Sequence, residues 1–122
     1  MEKYIEVVKQ SIELSDTVLE GIQHIRKQLE EGKFEEAAFL FEDTIVAILT
    51  IERSVDPLVT QMSSNKISEI MVELKRILEL LVGNFEDKNF SNVKEIMQFS
   101  LIPIFNQWKK ELETNLKAFY TS

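Results

Sequence analysis

Apolar residues recur at three- and four-residue intervals through nearly all of this chain, and only three glycines and two prolines interrupt them. That period marks helices with one buried face. So few breakers leave room for long ones. The densest run is Phe34 to Val55, FEEAAFLFEDTIVAILTIERSV. Phe34, Ala38, Phe41, Ile45, Ile48 and Val55 form its inner stripe, while Phe39 and Val46 fall on the opposite side beside Glu42, Asp43 and Arg53. A helix that is apolar nearly all round is buried by several neighbours. This run is therefore expected to be the central helix of a bundle, or a helix that also meets a partner.

The rest of the chain supplies the neighbours. A first helix is expected from about Lys3 to Glu30, with Ile5, Val8, Ile12, Leu19, Ile22 and Leu29 on one stripe and Tyr4, Val7, Leu14, Val18 and Ile25 on the next. Gly32 stops it, because glycine takes the left-handed conformation without a Cβ penalty. The connection Glu31-Gly32-Lys33 is short, so the second helix folds back antiparallel. That helix should end near Asp56-Pro57, since the residue before proline is pushed out of the helical region; alternatively Asp56 caps a short new turn. Leu58, Val59 and Met62 then belong to a loop that runs into the polar break Ser63-Ser64-Asn65.

A third helix spans about Lys66 to Phe85 and ends at the turn Asp87-Lys88-Asn89. A fourth runs from about Ser91 to Ala118, with Phe90, Val93, Met97, Leu101, Ile104, Trp108, Leu112 and Phe119 on its inner stripe. Pro103 lies inside it, removes the bond to the Phe99 carbonyl and should kink the helix. Phe99 and Ile102 then project from the less apolar side.

At an offset of 56, Leu14, Val18, Ile22, Ile25 and Leu29 align with Ile70, Leu74, Leu78, Leu81 and Phe85, and Phe34 aligns with Phe90. The pattern predicts two similar helical hairpins. The expected fold class is all-α: an up-and-down four-helix bundle, one domain over residues 1–122, with its second and fourth helices diagonal.

Charge narrows the partners. Twenty-one acidic residues against 14 Lys and Arg give a formal charge of −7. Nucleic acids and anionic membranes both reward a basic surface, so neither is an expected partner. There is no cysteine, hence no disulfide framework or thiolate site. No apolar run approaches the ~20 residues that span a bilayer, and the amphipathic start MEKYIEVVKQ has no apolar signal core. A cytoplasmic location is expected.

Candidate chemistry is sparse. His24 is the single histidine, on the polar side of the first helix. His24 and Lys27 resemble the exposed His with Lys three residues on that histidine phosphotransfer domains carry, in bundles of about this length. The resemblance implies a phosphoacceptor at His24 with Lys27 neutralising phosphoryl charge; Gln28 stands where that family has Gly. Glu42, Asp43 and Glu52 are the carboxylates of the second helix. Di-metal bundles use Glu-x-x-His pairs, and none occurs, so no metal or cofactor is expected. Glu30, Glu31, Glu35 and Glu36 read as solvated helix ends. Nothing matches a phosphate loop, a nucleophile elbow or a Ser/His/Asp set.

The phrases LEEGKFEEAAFLFEDTIVAILTIE and LIPIFNQWKKELETNL resemble segments of short, uncharacterised helical proteins of Gram-positive bacteria, some of them flagellar-chaperone-like. That resemblance implies a bundle with a protein-binding role and carries no catalytic residue. Gly32 to Ala37 is similar to tetratricopeptide hairpins, but no 34-residue period follows.

The surplus apolar residues are thus the informative ones. The sequence points to a non-enzymatic module, adaptor or chaperone-like, that contacts a protein partner or a second copy of itself. Phe39, Val46, Phe99 and Ile102, rimmed by Glu42 and Asp43, are its candidate contact residues. The alternatives are phosphotransfer through His24 and a helical sensor that holds a small apolar ligand beside Pro103.

Overall fold

Two turns of the same design set the architecture. In the first, Gly32 takes a positive φ of 76°; its N–H donates to the Leu29 carbonyl, and Lys33 N–H reaches the Gln28 carbonyl at 2.8 Å. In the second, Lys88 takes a φ of 58°, Lys88 N–H donates to Phe85 O, and Asn89 N–H reaches Asn84 O at 2.9 Å. Donors and acceptors of the two turns differ by the same 56 positions as the sequence pattern. Each closes a helix by satisfying carbonyls that the last turn leaves free, and each folds the chain back on itself.

The computed structural model describes residues 2–61 and 66–117, with the backbone alone for 2 and 3. α1 spans Glu2–Glu30, α2 Phe34–Val59 and α3 Ile67–Glu86. The fourth rod is composite: α4 Phe90–Ile96, a π-helical turn Met97–Leu101 and α5 Ile102–Leu116. α1 packs most extensively on α2, α3 packs on the fourth rod, and α1 also packs on α5. The rods therefore form an up-and-down bundle in which α2 is diagonal to the fourth rod, as expected from the sequence. Met62, Ser63, Ser64, Asn65, Ala118 and Phe119 lie outside the described residues.

The core runs the length of the bundle. Val18, Ile22, Ile25 and Leu29 of α1 meet Leu74, Ile77, Leu78 and Leu81 of α3 and Phe105, Trp108, Leu112 and Leu116 of α5 in one buried cluster. α1 and α2 come together over small residues: Ser11, Ser15 and Ala37 are buried with Thr44, and a Cβ built on Gly21 would stand 3.6 Å from Thr44 Oγ1. Two of the buried hydroxyls donate within their own helices, Ser15 to Ile12 O at 2.6 Å and Thr44 to Leu40 O at 2.8 Å. At the turn end, Phe34 and Phe90 stack face to face, 4.0 Å apart and within 2° of parallel. They occupy equivalent positions of the two hairpins. A residue stacked on its own counterpart lies beside the axis that relates the halves, so the bundle has an approximate two-fold axis along its length.

Several expectations need correction. The inner stripe of α2 is rotated: Ala37, Thr44 and Ile51 are buried with Phe41, Ile48 and Val55, whereas Phe34, Ala38 and Ile45 are half-buried. α2 does not stop at Asp56 but runs through Pro57 to Val59. A proline inside a helix costs roughly 3 kcal/mol. Burying Leu58 and Val59 contributes about 1.5–3 kcal/mol each, which outweighs it. Leu58 and Val59 are thus core residues of α2, not cover supplied by a loop.

The fourth rod differs too. Its inner stripe passes through Phe105, with Ile104 only half-buried. Where a kink at Pro103 is expected, the structure has the π turn, with Ile102 N–H donating to Met97 O, five residues back. Pro103 sits at the start of α5, where its missing N–H is least damaging. The π turn also explains the stripe. Buried positions on α2 step 37, 41, 44, 48, 51, 55; on the fourth rod they step 93, 97, 101, 105, 108, 112. The offset is 56 before the π turn and 57 after it. The wide turn absorbs one extra residue without rotating the rest of the rod out of phase.

Candidate interaction surface

On α2, Phe39 and Val46 lie two turns apart on one helix face, and both stand free of the core, 70% and 62% exposed. Glu42 and Asp43, between them, are exposed as well. These four candidates share one surface. Phe99 is 71% exposed, but it belongs to the π turn on the diagonal rod and faces away from α2. Ile102 is half-buried and packs against the core. The six candidates thus separate into an α2 group of four, an isolated Phe99 and a packing residue, Ile102.

His24 and Lys27 are both exposed on α1, and a shallow hollow beside them is lined by Gln23, Arg26, Lys27 and Glu30. The carboxylate nearest the α2 stripe, Glu52, is half-buried. It does not turn toward Arg53 but pairs with Lys75 of α3 at 2.8 Å. Among the described residues no three of His, Asp and Glu converge as a metal site, and no helix is long and apolar enough to cross a membrane.

The sequence missed one feature. α2 and α3 share few close backbone approaches, and a groove runs between them. The Lys75–Glu52 pair bridges it and divides it into two hollows. One, about 200 Å³, is lined by Ile45, Leu49, Leu78, Val82, Lys75 and Glu79. The other, about 210 Å³, carries Val55, Val59 and Met71 on its floor and Asp56, Ser68 and Val72 at its edge. Val72 is 71% exposed. Leu49 and Val82 are half-buried, and Val46 lies three residues before Leu49 on α2.

The two-fold relation places a second groove between α1 and the fourth rod, where the helices pack more closely and the chemistry differs. There Lys109 Nζ lies 2.7 Å from Asp16 Oδ1 and 2.6 Å from Glu113 Oε1. These hydrogen bonds, to Asp16 above all and then to Glu113, hold the lysine's pKa above its ordinary value. Asp16 is the counterpart of Val72, Asn106 of Leu49 and Arg26 of Val82. The α1–α5 groove keeps a hollow lined by Ile12 and the polar groups of Glu113, Thr114 and Lys117, whereas the α2–α3 groove is lined mainly by aliphatic side chains. Extending the 56-residue alignment from the core to the surface would have exposed this contrast in the sequence.

Residues 6–111 match a family described as "Domain of unknown function (DUF8042)". No curated protein matches the chain, and no solved structure does.

Proposed function

We propose, from the premise that the chain belongs to the DUF8042 family, that it is a protein-interaction module without catalytic activity of its own. It acts as an adaptor or chaperone-like factor in the bacterial cytoplasm. One observation carries the reading: Phe39 and Val46 stand exposed in line on α2 with Glu42 and Asp43 between them. Large apolar side chains aligned on one face and ringed by charge are the composition of a contact surface. A helix laid across such a face gains affinity from the apolar anchors and orientation from the rim.

Phe39→Glu and Val46→Glu test it. Both variants are expected to keep the helical circular dichroism and cooperative melting of the parent. Each should weaken binding to a co-purified partner, or self-association seen by light scattering, at least tenfold, which is about 1.4 kcal/mol. Unfolded variants would show that the residues are structural. Folded variants with undiminished binding would move the contact surface elsewhere.

A further inference from the structure

We infer that the groove between α2 and α3 seats one amphipathic α-helix with basic flanks, supplied by a partner protein. The inference rests on the protein-interaction reading and gives it a place and an occupant. Two lateral grooves lie at positions related by the approximate two-fold axis, and they differ in how closely their helices pack and in what lines them. Asp16, Arg26 and Asn106 on one side are replaced by Val72, Val82 and Leu49 on the other. Lys109 reaches across the first groove to Asp16 and also bonds Glu113 one turn on along its own helix. The second is left with an aliphatic floor and an exposed valine.

Charge selects the occupant. Among the described residues that line the groove, Glu52, Asp56 and Glu79 face a single cation, Lys75, and Glu52 already engages it. A second copy of this chain, itself at −7, would bring carboxylates to carboxylates, and an anionic lipid surface is repelled in the same way. Geometry selects its form. The described residues form helices and offer no strand edge for β-addition, whereas two antiparallel helices with a trough between them accept a third through alternate apolar side chains. From Ile45 to Val59 the trough is ~21 Å long at 1.5 Å per residue, the length of about four helical turns.

An 18-residue peptide with Leu at helical spacing and Lys elsewhere is the probe, with the same peptide carrying Glu for Lys as control. Titration into ¹⁵N-labelled protein should shift the amides of Val46, Leu49, Val72 and Val82 while leaving Asp16, Arg26 and Asn106 in place. The Glu peptide should bind at least tenfold more weakly. Leu49→Asn with Val82→Arg, which installs the residues of the other groove, should weaken the Lys peptide at least tenfold. Val72→Lys, at an exposed position with no packing to lose, should act in the same direction, because it removes an apolar contact and repels the Lys peptide. Equal shifts in both grooves, equal binding of the Glu peptide, or no shift at all would overturn the proposal. So would groove shifts that grow with protein concentration in the absence of peptide, which would make a second copy the occupant. If the groove variants keep a partner that Phe39→Glu loses, the groove falls and the interaction reading stands. If no variant loses it, both fall.

Discussion

At Lys88 a side chain occupies a backbone conformation that costs a non-glycine residue about 1–2 kcal/mol, whereas its counterpart Gly32 meets the same demand without that cost. Lys88→Gly should therefore stabilise the protein by roughly 0.5–1 kcal/mol after the added freedom of the unfolded chain is deducted, measured as a rise in the urea midpoint. Gly32→Ala should cost about 1 kcal/mol. The space around Gly32 is open, so that loss would come from the backbone alone. Gly32 was legible as a helix stop because glycine announces a left-handed turn. Lys88 was legible only as part of a polar tripeptide, since nothing in a lysine signals positive φ. Trp108, 1% exposed, was readable as core from its place in the stripe. The absence of an acceptor for its indole N–H among the described residues depends on packing that no spacing rule encodes.

The elements were read well where one helix period held and poorly where it changed. α1 and α3 carry uninterrupted stripes and appear close to their expected bounds. α2 was cut short because a proline rule was applied without weighing what Leu58 and Val59 would bury. In the fourth rod the period of 3.6 placed Ile104 inside, and the π turn moved the stripe to Phe105. A single extra residue leaves no mark in composition; it shows only when one hairpin is laid on the other. The π turn makes a sharp prediction. Deleting Phe99 together with Pro103→Ala should let the rod continue as α-helix with its buried residues still in phase, giving a cooperative melt with near-parental helicity. Deleting Asp43 from α2 rotates everything beyond it by about 100° and should abolish cooperative unfolding.

Over the whole molecule, the apolar periodicity and the echo at 56 residues were enough to reach the bundle, because a four-helix topology with two short turns has few alternatives. The grooves between the hairpins were not reached, because their character depends on which surface residues of neighbouring helices from different hairpins face one another. Of those cross-hairpin contacts, the Lys109 cluster can be tested by pH. Asp16 is largely exposed and Glu113 partly so, so Lys109→Met should cost only about 0.5–1 kcal/mol at neutral pH. The lysine's pKa is raised in the folded state, so its contribution is fully present below its ordinary value near 10.5 and is lost as pH climbs through the raised one. The difference in urea midpoint between parent and variant should stay flat to about pH 10 and then shrink.

The unequal grooves also bear on stoichiometry. Two identical hairpins paired about a two-fold axis would present two identical seats, and such a dimer could bridge two partners into a larger assembly. Joining unlike hairpins in one chain breaks that equivalence while keeping the framework. If the mainly aliphatic α2–α3 groove alone seats a helix, each molecule holds one such segment where a symmetric dimer would hold two.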